Sequence, residues 1–410
     1  MTSLLHRRHF QALLAAQFCS ALADNALLFA AIAQLKAFGS PDWHTPLLQA
    51  VFVLAYIVFA PFVGYWADAW PKGRVMLASN ALKLAGAGAM LAGSHPLLAY
   101  ALVGVGAAAY SPAKYGILTE LVPQDELVRA NGLLEGSTIA AILLGVVTGG
   151  VLADQGAQLA VGVTVGVYAL AALANLGIPR LPAAPRSRTE SRTASPLALI
   201  RTFRDSVRTL LSDPDGRFTL LGTGLFWGTG STLRFLLVAW VPVALHRTDA
   251  ATPANLNGAV AVGIALGAAA AARFITLVQV NRALPAGIAL GGLIMALSQV
   301  TTLPWAVALL VALGLCGGFY VVPLNALLQE KGHATVGSGQ AIAVQNFVEN
   351  LLMLALVALY TVATRAGVPP VELALGFGAL VLVGLGLLTV YRWRTWWGAD
   401  GLPRVALPPQ

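Results

Sequence analysis

The chain has 410 residues, of which 58% are hydrophobic and 10% charged, and its mean hydropathy is +0.76. A soluble domain carries about 25% charged residues, so this chain lacks the material for a solvated surface and its main solvent is lipid. The net charge of +8 comes from basic residues gathered in loops, which argues against a nucleic-acid partner, and the lack of period-2 alternation argues against a β-barrel.

Twelve membrane spans are predicted, over residues 10–36, 46–68, 75–93, 97–115, 131–153, 158–178, 218–245, 256–278, 284–302, 305–328, 340–364 and 371–391. In the first, Arg7, Arg8 and the small residues Ala21-Leu22-Ala23 resemble a cleavable signal peptide. The apolar run continues past Asn25 to Leu35, long enough for a bilayer, which takes about 20 residues, so a retained helix is expected. Asp24 then lies at membrane depth, where an ionisable group is costly and points to function. Gln17, Ser20 and Asp24 share one helix face by i, i+3, i+7 spacing, and Asn25 follows.

Between spans 2 and 3 stands "GYWADAWPKGR", residues 64–74. Gly64 allows close helix approach, Asp68 ends a helix, and Lys72 and Arg74 follow. This arrangement resembles the loop motif of the major facilitator superfamily, where it holds helix ends together. Lys83, about two turns into span 3, is expected to snorkel toward the nearer interface. Lys114 ends span 4 and Glu135 begins span 5. A pair between them would gate one mouth of a channel or staple two helices, and both readings stand.

The middle linker, 181–217, opens, after Arg180, with "LPAAPRSRTESRTASP" and continues with "LALIRTFRDSVRTLLSD". The second piece alternates apolar and basic residues at helical spacing, which predicts an amphipathic helix on the membrane surface. The linker divides the chain into halves, 1–180 and 218–392, with a tail at 393–410. "GVGAAAYSPAKYGILTE" in span 4 corresponds to "GLCGGFYVVPLNALLQE" in span 10, with Pro112 and Pro323 211 positions apart. Asp24 and Arg234 are 210 apart and are opposite charges in the equivalent spans 1 and 7. Repeat-built transporters bind substrate near the midplane where repeats meet, so the two residues form either a substrate site or an inter-domain lock. In span 11, Gln345, Asn346, Glu349 and Asn350 share a broad face that suits a polar cavity wall or helix–helix glue.

Only Lys36, Arg247 and Arg365 fall in one set of loops. Apart from Lys83 and Arg234, the other basic residues border the opposite set, which places both termini and the linker in the cytoplasm. Cys19 and Cys316 lie within apolar runs, so a disulfide framework is not indicated. No P-loop, HExxH or GxSxG sequence occurs, and the six histidines lie in termini and loops. Neither an enzyme, a cofactor nor a metal centre is indicated.

At "ADNALLFA", "FAPFVGYWADAWPKGRVM", "LVGVGAAAYSPAKYGIL", "ANGLLEGSTIAAILLG", "LFWGTGSTLRFLLVAWVPVAL", "GGFYVVPLNALLQE" and "GQAIAVQNFVEN" the chain resembles the bacterial lysophospholipid transporters of the major facilitator superfamily. The linker and tail do not share in the resemblance. It implies an all-α fold of twelve helices in two pseudo-symmetric six-helix halves. It also implies flipping of 2-acyl lysophospholipid, chiefly lysophosphatidylethanolamine, from the outer to the inner leaflet of the bacterial inner membrane. A separate acyltransferase/acyl-carrier-protein synthetase would then re-acylate the product. The head group carries one cation and one anion, which suit Asp24 and Arg234, the guanidinium matching phosphate. Gln17, Asn25, Asn346 and Glu349 complete the expected substrate site, and Asp68, Lys72, Arg74, Lys114 and Glu135 the gating set. Two rivals stand beside this reading: a proton-coupled exporter of drugs or other amphiphiles, with Asp24 as proton carrier, and a membrane scaffold that recruits the acyltransferase.

Overall fold

The structure, a computed structural model, describes residues 7–40, 44–179, 195–247 and 251–396. Fifteen α-helices run through them: α1 (Arg8–Ala37), α2 (His44–Val58), α3 (Ala60–Ala69), α4 (Lys72–Leu91), α5 (Pro96–Gly116), α6 (Leu118–Leu121), α7 (Leu127–Gln155), α8 (Ala157–Asn175), α9 (Pro196–Ser212), α10 (Pro214–Ala244), α11 (Ala251–Phe274), α12 (Leu284–Leu297), α13 (Leu303–Ala334), α14 (Ser338–Arg365) and α15 (Pro370–Trp396). Backbone polar groups in hydrocarbon must be satisfied internally, and helices do this within each segment.

Every predicted span coincides with a helix or a helix pair. Among the described residues nine helices are long and apolar enough to cross a membrane, and a tenth span counts if the pair Leu47–Val58 and Ala60–Ala69, bent by 59°, is one crossing. The other two expected spans coincide with the helices α4 and α10, which carry charged residues and are not among those nine or ten. Span 2 was expected to run unbroken, but the chain bends at Phe59, just before Pro61. That proline has no N–H and fits the first turn of α3.

Helix ends follow local chemistry. α1 and α4 stop at Gly39 (φ +67°) and Gly93 (φ +92°), where Ser40 N–H donates to Leu35 O and Ser94 N–H to Ala89 O, as in a Schellman turn. α10 starts at Pro214, and the Asp213 carboxylate accepts from Gly216 N–H at 2.7 Å.

The chain forms two compact units. One comprises 1–123, 134–209 and 332–347; the other comprises 124–133, 210–331 and 348–410. Each therefore takes a short piece from the opposite half of the sequence. In the first unit α4 packs on α5 and α8, and α1 on α8. α8 shows the pattern: Val161, Thr164, Tyr168 and Ala171 are buried, while Leu159, Val163, Leu170 and Leu173 face outward. Leucines on an outer face suit a lipid solvent. In the second unit α12 and α10 pack on α15. There Gly263 and Gly267 of α11 lie against the backbone of Val311 and Leu315, and Gly314 and Gly318 of α13 against Val260 and Ile264. Small residues let backbones approach where lipid offers no hydrophobic drive to helix association.

The expected amphipathic helix of the linker is α9. Its Leu199 and Phe203 are buried while Arg201, Arg204 and Arg208 are not, and Phe203 meets Phe347 edge-on at 5.5 Å. Residue 180, residues 181–194 of the linker and 397–410 of the tail lie outside the described residues. Helix α15 extends past the expected end of span 12, through Trp396.

Candidate functional site

Asp24 sits inside the first unit with three helices around it. Lys83 of α4 donates to its Oδ2 at 2.7 Å, and the Tyr168 hydroxyl of α8 donates to Oδ1 at 2.7 Å. Lys83 also donates to Ser20 Oγ at 3.0 Å, and Ser20 donates to Asn80 Oδ1 at 2.8 Å. The lysine side chain is 1% exposed and the aspartate 19%. The sequence explains the convergence. Asn80 and Lys83 are one turn apart on α4, and Ser20 and Asp24 one turn apart on α1, so each helix presents two polar groups on one stripe. Gly106 of α5 makes room, since a Cβ there would stand 2.7 Å from Lys83 Cγ and 2.9 Å from Ser79 O.

The expectation for Lys83 is thereby corrected. Its ammonium does not snorkel to an interface but turns inward to a carboxylate, because an ion pair satisfies a buried cation without stretching the side chain. Asp24 thus has a cationic partner within its own unit. A carboxylate has about four acceptor positions; the Lys83 and Tyr168 bonds take two, and the remaining exposure leaves the group approachable.

Gln17 is buried and donates to Thr138 Oγ1 at 2.8 Å, which links α1 to α7. Asn25 donates to Ala21 O of its own helix at 2.8 Å. Asn346 and Ser111 exchange hydrogen bonds at 3.0 and 3.4 Å. Glu349 is buried in the second unit. Arg234 is exposed on α10, also in the second unit.

The loop-motif residues form a second constellation in the first unit. Asp68 accepts from the backbone N–H of Gly339 at 2.7 Å and of Gln340 at 2.8 Å. It therefore caps the N-terminus of α14, where the helix dipole favours an anion. Lys72 lies 3.8 Å from Asp68 and pairs with Glu120. Gly64 and Gly339 permit this approach, because a Cβ at 339 would stand 2.6 Å from Ala67 Cβ. Arg74 is exposed. Lys114 is buried with its ammonium 4.0 Å from the Tyr115 ring centroid, and the Tyr115 hydroxyl donates to Glu135 at 2.5 Å. Tyr115 thus joins the two expected gate residues.

The second unit holds its own polar cluster. Asp215 pairs with Arg392 and with Lys331 at 2.8 Å, and Arg392 donates to Asn281 at 2.9 Å. Asn131 and Gln329 exchange amide hydrogen bonds at 2.9 and 2.7 Å.

Sequence reasoning missed Tyr168, Asn80 and the role of Lys83. A signal existed for the lysine: it needs an anion at depth, and Asp24 is the acid in the middle of span 1. For Tyr168 there was none, since a tyrosine in an apolar helix reads as packing.

The family model of the Major Facilitator Superfamily matches residues 13–358. The Lysophospholipid transporter LplT of Enterobacter sp. (strain 638) is 54% identical over 391 residues, covering 95% of this chain and 97% of that protein. The Lysophospholipid transporter LplT of Yersinia pestis (strain Pestoides F) is 56% identical over 364 residues, covering 89% of each. Among solved structures, the fucose:proton symporter FucP of E. coli aligns with a TM-score of 0.73 at 15% identity, over 93% of this chain and 98% of that one. The human organic anion transporter MFSD10 (TETRAN) aligns with a TM-score of 0.73 at 16% identity, over 93% and 99%.

Proposed function

The chain belongs to the Major Facilitator Superfamily and, within it, to the lysophospholipid transporters, and on that premise we propose that it moves lysophospholipid across the membrane with Asp24 at the head-group site. The observation that carries this is the Asp24–Lys83–Tyr168 cluster: a carboxylate held in place by two donors and still approachable. The ammonium of lysophosphatidylethanolamine takes a remaining acceptor position on Asp24. Arg234, exposed on α10, supplies the fork for the phosphate. Gln17, Asn25, Asn346 and Glu349 are the proposed polar lining. Lys83, 1% exposed and bonded to Asp24 at 2.7 Å, is the proposed positioning residue for that carboxylate.

The proposed direction is from outer to inner leaflet of the bacterial inner membrane, with both termini cytoplasmic. The product is re-acylated by a partner acyltransferase/acyl-carrier-protein synthetase. Asp68, Lys72, Arg74, Lys114 and Glu135 are the proposed conformational set, since Asp68 binds a helix of the opposite sequence half.

The test is purified protein in liposomes carrying labelled lysophosphatidylethanolamine, with and without a pH gradient. Transfer between leaflets that does not depend on the gradient supports the reading. Transfer that stops when the gradient is collapsed favours the proton-coupled rival, and absence of transfer the scaffold.

A further inference from the structure

A groove in the second unit lies outside the head-group site. It has a volume of about 320 Å³ and is lined by Leu221, Leu225, Leu352, Leu387 and Leu388, with Arg217 and Tyr391 at one end. That volume falls within the range of small-molecule sites, about 300–1,000 Å³. Leu387 is 66% exposed, so the groove opens to the surroundings of the helices, which for these spans is the bilayer.

The charged end is built. Arg217 Nε donates to Leu211 O at 2.7 Å, and the guanidinium lies 5.5 Å from the Tyr391 ring centroid. These two contacts fix the plane of the guanidinium, and its Nη groups have no acceptor among the described residues. Arg394 is exposed three positions after Tyr391 and adds positive charge on the same helix face. No carboxylate lines the groove. The nearest acidic residue along the chain, Asp215, is engaged by Arg392 and Lys331.

We propose that this groove between α10, α14 and α15 binds an anionic phospholipid of the surrounding bilayer, its phosphate on Arg217 and one acyl chain along the leucines. The charge pattern selects the ligand. Arg217 meets a phosphate, and with no carboxylate present an ethanolamine ammonium has no partner, so phosphatidylglycerol is preferred over phosphatidylethanolamine. Basic pockets between membrane helices hold anionic head groups in this way. The acyl chain bridges helices that are distant in sequence and braces the unit from outside.

Native mass spectrometry of the full-length protein tests this, with dioleoyl phosphatidylglycerol or dioleoyl phosphatidylethanolamine added in equal amounts. Wild type should retain the anionic lipid about fivefold more than the zwitterionic one, the worth of one basic residue toward an anionic lipid. Arg217→Gln should bring phosphatidylglycerol down to the level of phosphatidylethanolamine. Gly384→Leu should lower retention of both, since a Cβ at 384 meets only Leu225 methyls at 3.6 and 3.9 Å and a longer side chain enters the groove without displacing backbone. If either variant fails to fold, the other decides. Equal retention of the two lipids by wild type would overturn the proposal. So would phosphatidylglycerol retention unchanged in the folded variants, or its displacement from the groove by lysophosphatidylethanolamine.

Discussion

Lys83 donates to Asp24 across 2.7 Å, from a side chain that is 1% exposed. A buried ion pair broken on one side leaves an uncompensated charge. Lys83→Met should therefore lower the unfolding temperature of the detergent-purified protein, measured by tryptophan fluorescence, and reduce transport by tenfold or more. The double variant Asp24→Asn/Lys83→Met removes both charges and should recover at least half of the lost stability while remaining inactive. A double variant that transports would make the pair purely structural.

The Asp68 cap on α14 makes a separate prediction. Asp68→Asn keeps one acceptor oxygen and loses the charge that faces two N–H groups and Lys72. Loss of a charge-assisted bond of this kind costs about 1–3 kcal/mol. The variant should insert normally and show increased cysteine accessibility around 338–347. Gly339→Ala should act in the same direction, because its Cβ would stand 2.9 Å from Asp68 Oδ1. Unchanged accessibility in both variants would remove Asp68 from the conformational set.

The Asp215 cluster gives a pH prediction. Burial raises the Asp215 pKa, but Arg392 and the hydrogen bonds from Lys331 and Arg392 outweigh it, and the carboxyl lies below its usual 3.8. Burial lowers Lys331, but Asp215 and Asp213 outweigh it and hold the ammonium above 10.5. A depressed carboxylate contributes stability that is complete above its unfolded pKa and lost as pH falls through its folded one. A raised ammonium contributes stability that is complete below its unfolded pKa and lost as pH rises through its folded one. The stability difference between wild type and Asp215→Asn should thus be flat from about pH 5 to 9 and shrink below about pH 4. A difference that varies steadily from pH 5 to 9 would assign it to another group.

Much of this was legible in the sequence. Apolar run lengths located the helices, because a bilayer sets their length, and the alternation in 196–212 gave α9. The bend at Phe59 was less legible, although Pro61 marked it, since a proline in a first helical turn is also compatible with a straight helix. Asp24 was visible because a charge in hydrocarbon stands out. Its partners were not, since contact between α1, α4 and α8 depends on packing that glycines such as Gly106 permit and periodicity does not encode. Asp68 was visible as a helix end, but its acceptance of Gly339 and Gln340 N–H groups, 271 and 272 positions away, was not.

The proposed orientation rests on the uneven distribution of basic residues. Single cysteines introduced at 39 and 247, in a variant lacking Cys19 and Cys316, should react with an impermeant reagent added to intact cells whose outer membrane has been permeabilised. Cysteines at 185 and 190 should react only after lysis. Labelling of 185 or 190 in intact cells would reverse the assignment.

The central claim is that the chain transfers lysophospholipid through a site built on Asp24. Its most direct test is the rate of leaflet transfer of labelled lysophosphatidylethanolamine in proteoliposomes, for wild type and Asp24→Asn at matched protein content. Transfer by wild type should run well above that of protein-free liposomes and fall tenfold or more in Asp24→Asn, with the variant still inserted. A wild-type rate equal to that of protein-free liposomes, or an Asp24→Asn rate equal to that of wild type, would contradict it.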